Sequence, residues 1–99
     1  MLFAVTCQDK PDHEQVRLDN RPDHVAWLSN ETVKIHAAGP LLSDDGAHMI
    51  GSLLIIDAPD EAALRAELAS DPYAKADLFA TVSVQRWKWV VGAPEGLGS

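Results

Sequence analysis

Apolar and polar positions along this chain alternate in blocks with two different periods. Leu2 to Gln8, LFAVTCQ, is a short β-rich apolar run closed by Asp9, Lys10 and Pro11, and reads as a first strand. Residues 12–32 are polar, with Val16, Val25 and Leu28 at helical spacing. Pro22 lacks an amide N–H and its ring clashes with the preceding turn, so it fits a first helical position better than an interior one. The pattern therefore predicts a short helix near 13–19 and a second one opening at Pro22, capped by Asn20 or Arg21, with Asp23 at its positive dipole end.

Lys34 to Leu42, KIHAAGPLL, is a second strand, with Gly39-Pro40 marking a bend or its end. Asp45-Gly46 supplies turn chemistry. Met49 to Ala58 follows as an unbroken apolar run, the mark of a central strand, and Gly51-Ser52 within it predicts a bulge or a close approach to the backbone. PDEAALRAELAS has Pro59 at a helix start and Leu64 one turn from Leu68. That helix stops by Ser70, because Asp71 precedes Pro72 and is pushed out of the α region. A short helical piece, YAKADLF, leads to a last strand, ATVSVQRWKWVV. Its apolar positions change parity between Val84 and Trp87, which predicts a bulge near Gln85-Arg86. The Gly/Pro-rich residues 92–99 read as a loose tail after a single domain over 1–91.

The resulting order, β-α-β-β-α-β, is that of a ferredoxin-like α+β sandwich. Its helices cover one face of the sheet, and Phe3, Val5, Trp87 and Trp89 are expected on the other. A chain of 99 residues buries a modest core. Size and tryptophans together predict a homodimer whose two sheets meet.

Charge narrows the partners. Eight basic against fifteen acidic residues give −7, with the basic ones scattered, which disfavours nucleic acid and anionic membrane. The single cysteine, Cys7, sits in an apolar run, excludes an intrachain disulfide and is expected to be buried and inert. No apolar stretch approaches the roughly 18 residues of a spanning helix, and the start carries no signal-like n-region, so a cytoplasmic location is expected.

Two residues carry candidate chemistry. His24 is expected near the start of the second helix, where the positive dipole end and Arg21 favour a neutral imidazole, the form able to accept a proton. Arg17, Arg21, His24 and Leu28 share a face if the helical pieces are nearly continuous. Asp71, before Pro72, is placed to cap the following turn. His36 reads as a satisfied strand residue, His13 and His48 as solvated ones. No ligand spacing calls for a metal and no Gly-rich loop for a nucleotide cofactor. Ser52 lacks the G-x-S-x-G context of a nucleophile.

The opening MLFAVTCQDK, the segment from Arg17 to His24 ending in RPDH, AAGPLL from Ala37, GSLLII from Gly51 and DPYAKADLF from Asp71 resemble the YciI-like (YCII-related) family, over residues 1 to about 91. The resemblance implies a dimeric α+β barrel of two ferredoxin-like protomers. It also implies an active site with a His-Asp pair falling on His24 and Asp71, in a cleft lined or shaped by Arg21, Gly39, Pro40, Gly51 and Ser52. Where the family often has a proline near position 86, this chain has Arg86. Most members have no established reaction; some are implicated in dehydrochlorination of chlorinated hydroxyquinones, and fold relatives include muconolactone isomerases. A capping carboxylate at Asp71 would also accept the Nδ1–H of His24 and orient it as a base. Ser52 or N–H groups beside Gly51 would stabilise an enolate oxygen. The expectation is a cofactor-independent lyase or isomerase acting on a cyclic, aromatic-derived small molecule. The alternative is a non-catalytic small-ligand binder or accessory dimerisation module.

Overall fold

A computed structural model describes residues 1–30 and 32–95. The apolar runs become strands β1 (Leu2–Asp9), β2 (Lys34–Leu42), β3 (Met49–Asp57) and β4 (Phe79–Arg86), and the amphipathic segments become helices α1 (Glu14–Trp27), α2 (Glu61–Leu68) and α3 (Pro72–Lys75). The strands form one antiparallel sheet in the order β2-β3-β1-β4, an α+β ferredoxin-like arrangement. β3 is central, as its two-sided apolar run requires.

The register decides which side chains meet the helices. Phe3 faces Ile56, Val5 faces Leu54 and Cys7 faces Ser52 across the β1–β3 ladder, while Val84 pairs with Val5 from β4. These residues alternate onto one side of the sheet, where Phe3, Val5, Cys7, Leu54 and Ile56 pack with Val33, Ala58 and Leu64, with Trp27 at the end of α1 and with Leu28 just after it. Phe3 and Val5 thus belong to the core and not to the other face, because β1 pairs so that its odd residues point at the helices. Leu53, on the opposite side of β3, is 42% exposed.

Pro22 does not break the helix. It lies inside a continuous α1, and the helix begins after His13, with no side-chain cap, instead of restarting at Asn20 or Arg21. His24 consequently falls in the last turn, at the negative end of the macrodipole, with Asp23 just before it. β2 runs through Gly39-Pro40 to Leu42, and a proline is tolerated because this is an edge strand. α2 is capped by Asp60, whose side chain accepts the Ala63 N–H at 2.7 Å.

The last strand stops at Arg86, so the parity change near Gln85-Arg86 marks a strand end and not a bulge. The ladder irregularity lies at the other end of β4, opposite Gln8 and Asp9. After Arg86 the chain crosses the sheet. The Trp87 N–H donates to the Leu2 carbonyl at 3.1 Å, and the Trp89 ring meets His36 of the far edge strand edge-on at 6.1 Å. His36 sits where the β2–β3 register shifts, and its Nε2 has no hydrogen-bond partner among the described residues, so it is not the satisfied strand residue expected. Of the tail expected at 92–99, residues 96–99 lie outside the described residues. No helix among the described residues is long and apolar enough to cross a membrane.

Candidate functional site

Helix α1 carries one polar stripe onto the sheet. Arg17, Arg21, His24 and Leu28 are spaced so that an unbroken helix presents them together, and all four line one cleft with Val25. The opposite wall comes from Ala38, Gly39 and Pro40 of β2, with Ser52 and Leu54 of β3 and Tyr73 of α3. The cleft encloses about 90 Å³.

Four polar side chains here are buried: Arg17, His24, Ser52 and Asp71 are 2%, 8%, 3% and 2% exposed. Each has partners, as burial demands. The Arg17 guanidinium donates from Nε and Nη2 to the two carboxylate oxygens of Asp9 at 2.7 and 2.8 Å, and from Nη2 to Ser52 Oγ at 2.9 Å. Burial alone would favour losing its charge; the hydrogen bonds and charge of Asp9 outweigh this and move its pKa up.

His24 is fixed from two directions. Its Nδ1 lies 2.8 Å from Asp71 Oδ1, and its ring stacks on Tyr73 with centroids 3.9 Å apart and planes 15° apart. The Arg17 guanidinium lies 4.6 Å from the same tyrosine centroid. Residues seven apart on a helix are separated by about 10.5 Å along its axis, so the phenol ring sits between the guanidinium and the imidazole. Burial pushes the Tyr73 hydroxyl above its ordinary pKa, with Arg17 working against that rise.

Asp71 does both jobs open to it. It is the N-cap of α3, where Oδ1 accepts the Tyr73 N–H at 3.0 Å, and the same oxygen faces His24. Its neighbour Ser70 accepts the Trp27 indole N–H at 2.9 Å, which ties the end of α1 to the α2–α3 corner. A carboxylate already accepting a backbone N–H is an acceptor toward Nδ1 too, so in the neutral form of the ring the proton sits on Nδ1 and the lone pair on Nε2. That is the arrangement of a general base with its orienting carboxylate.

The structure brings His24, Arg21, Gly39, Pro40 and Ser52 to one cleft, with Asp71 directly behind the imidazole. It does not bring Gly51 there. Strand alternation turns Gly51 to the other side of β3 from Ser52, where a Cβ would collide with the Cys7 carbonyl oxygen. β3 is also paired on both sides at Gly51 and Ser52, so the ladder, not a ligand, engages the backbone there. The close approach expected at Gly51 is the neighbouring strand. Sequence reasoning missed Tyr73, Asp9 and Trp27; the spacing of Tyr73 two residues after Asp71 was the available signal. Cys7 is buried, and burial, with Asp71 adding to it, pushes its thiol up to about 12. No group of three or more His, Cys, Asp or Glu among the described residues is disposed to hold a metal.

The YCII-related domain model matches residues 1–88. This chain belongs to the YCII-related family. Protein YciI of Escherichia coli O6:H1 is 33% identical over 97 residues, covering 91% of this chain and 99% of that protein, as is Protein YciI of Shigella flexneri. Among solved structures, a 5-chloro-2-hydroxyhydroquinone dehydrochlorinase from Burkholderia phenoliruptrix AC1100, in complex with 2,5-dihydroxybenzoquinone, is 37% identical with a TM-score of 0.77, covering 89% of this chain and 94% of that one. An antibiotic biosynthesis monooxygenase is 18% identical over 88% of this chain and 98% of that one, with a TM-score of 0.53, and shares the fold alone.

Proposed function

We propose that this family member is a small-molecule enzyme of the lyase or isomerase type, moving a proton on a hydroxylated six-membered ring with His24 as base and Asp71 orienting it. The observation that carries this reading is the 2.8 Å contact of His24 Nδ1 with a buried carboxylate, which leaves Nε2 for the cleft. The 37% identity to a dehydrochlorinase supports loss of HCl as the reaction. His24 would take a proton from one ring hydroxyl while the ring carbon bearing chlorine gains one, giving the keto tautomer, and chloride would then leave with the bonding pair as a second ring hydroxyl gives up its proton. A chlorinated trihydroxybenzene then becomes a hydroxyquinone plus HCl, with no outside oxidant. Ser52, which lines the same cleft, would hydrogen-bond an oxygen of the ring.

We propose further that two copies pair through the sheet face away from the helices. The groove there, lined by Ala37 to Leu41, Leu53 and Ile55, supports this, together with the half-exposed Leu53. Light scattering of the purified chain tests it.

The catalytic reading is tested with 5-chloro-2-hydroxyhydroquinone, following released chloride. Wild-type protein releases it, and His24→Gln lowers the rate by about 10² or more. Turnover unchanged in that variant, or no chloride from the wild type, overturns the reading.

A further inference from the structure

The chain carries fifteen acidic and eight basic residues, yet none of the described residues lining the cleft is acidic. The charged or titratable groups there are Arg17, Arg21, His24 and Tyr73. The two carboxylates close behind the walls are already committed. Asp9 takes two hydrogen bonds from Arg17, and Asp71 takes the His24 ring and the Tyr73 N–H. Arg17 is thereby neutralised. Arg21 is not: its described contact is from Nη1 to the Met49 sulfur at 3.1 Å, a weak acceptor, and no carboxylate among the described residues pairs with it. Ser52 adds a donor, because Arg17 uses the lone pair of its Oγ and leaves the hydroxyl proton to point elsewhere.

We infer that the cleft binds its ligand as an anion, an ionised hydroxyl on a planar ring, and that Arg21 is the residue selecting for that charge. The inference deepens the small-molecule reading above and rests on it. A local field of sign opposite to the net charge of the protein draws anions to this opening. Arg21 exchanges a sulfur for an oxyanion, so binding gains a charge-assisted hydrogen bond without breaking an ion pair. Val25, Leu28, Leu54 and Pro40 supply the flat apolar walls that a ring needs. The ionisation of the ligand, and not only that of the protein, then sets the acid side of the binding profile.

The test measures binding to the full chain by calorimetry at pH 7 with two rings, 2,5-dihydroxybenzoquinone, which is ionised there, and hydroquinone, which is neutral. The wild type binds the ionised ring more tightly by about 10-fold or more, the scale of a hydrogen bond to a charged group. Added salt erodes that preference, Arg21→Gln removes most of it and Arg21→Lys keeps part. Equal affinity for the two rings, no binding of either, or a preference that survives both salt and Arg21→Gln overturns the inference. Should Arg21→Gln fail to fold, the salt series on the wild type decides alone. The two proposals fail separately: chloride release by the wild type reports on the catalytic reading, and the calorimetric preference of the wild type, with its salt dependence, reports on the charge reading.

Discussion

Asp71 is the residue whose replacement separates chemistry from architecture. Changed to Asn, it keeps an oxygen that accepts the Tyr73 N–H, so the cap of α3 survives. It loses the charge facing His24 Nδ1, and a charge-assisted hydrogen bond becomes a neutral one of roughly half the strength. The amide nitrogen does not take that place, because one oxygen serves both His24 Nδ1 and the Tyr73 N–H, and turning it away would give up the cap as well. The imidazolium formed during proton abstraction thus loses its charged partner. Turnover of the chlorinated hydroquinone falls by about 10²–10⁴, or roughly 3–5 kcal/mol of barrier, while stability changes by under about 1 kcal/mol. Asp71→Ala is the contrasting perturbation. It removes the cap, at about 1 kcal/mol, and strands a buried Nδ1–H, at about 1–3 kcal/mol. The sum, about 2–4 kcal/mol, corresponds to a melting temperature lower by about 10–25 °C for a domain of this size. Chloride release and urea titration of both variants are the assays. An Asn variant turning over within about threefold of wild type would refute the orienting role, and an Ala variant as stable as the Asn one would refute the structural half.

Further expectations concern the sheet and the groups outside the cleft. Gly51→Ala forces a methyl against the Cys7 carbonyl and destabilises the chain by about 1–3 kcal/mol, whereas Gly39→Ala, with nothing within 4 Å of its Cβ, leaves the urea midpoint nearly unchanged. Cys7, its thiol held at about 12, stays protonated at pH 8 and reacts with a disulfide reagent only on unfolding; fast labelling of the native protein would contradict its burial. His48 is held above its ordinary pKa by the hydrogen bond and charge of Glu14, whose carboxyl is held below its own by the same bond and by that from Met49. The His48 contribution is therefore complete below the unfolded imidazole value of about 6.5 and fades as pH rises through the folded one, so stability slopes down there and His48→Gln flattens the slope.

The elements were legible because each rests on local chemistry: apolar runs for the strands, Asp71 as a cap, and Asp45-Gly46 as a turn, which the structure keeps with Gly46 at φ 74°. What was not legible is set by contacts far apart in sequence. Which face of β1 meets the helices depends on its pairing register, and a shift of one residue exchanges Phe3 and Val5 for Ala4 and Thr6. The proline was misread for the same reason. A proline inside a helix costs about 3 kcal/mol as a local matter, but α1 is held along its length by Arg17 on Asp9, Trp27 on Ser70 and the packing of Trp27 and Leu28 on the core. Tertiary contacts at both ends keep it continuous across Pro22.

That continuity is what makes the site. With a break at residue 20, Arg17 and His24 would belong to two helices with independent directions, and one tyrosine ring would not lie between them. With α1 unbroken, the His24 ring and the Arg17 guanidinium both reach the Tyr73 ring, 3.9 and 4.6 Å from its centroid, and Tyr73 is carried there by the cap that Asp71 provides. The same residue that orients the imidazole thus also sets the ring against which it stacks. Conservative changes at Asp71 and at Tyr73 should then be coupled and not additive. In a double-mutant cycle, Tyr73→Leu should lower turnover much less in the Asp71→Asn background than in wild type, because the imidazole there has already lost one of its two restraints. Strict additivity of the two effects would mean that the stack and the carboxylate act on His24 separately.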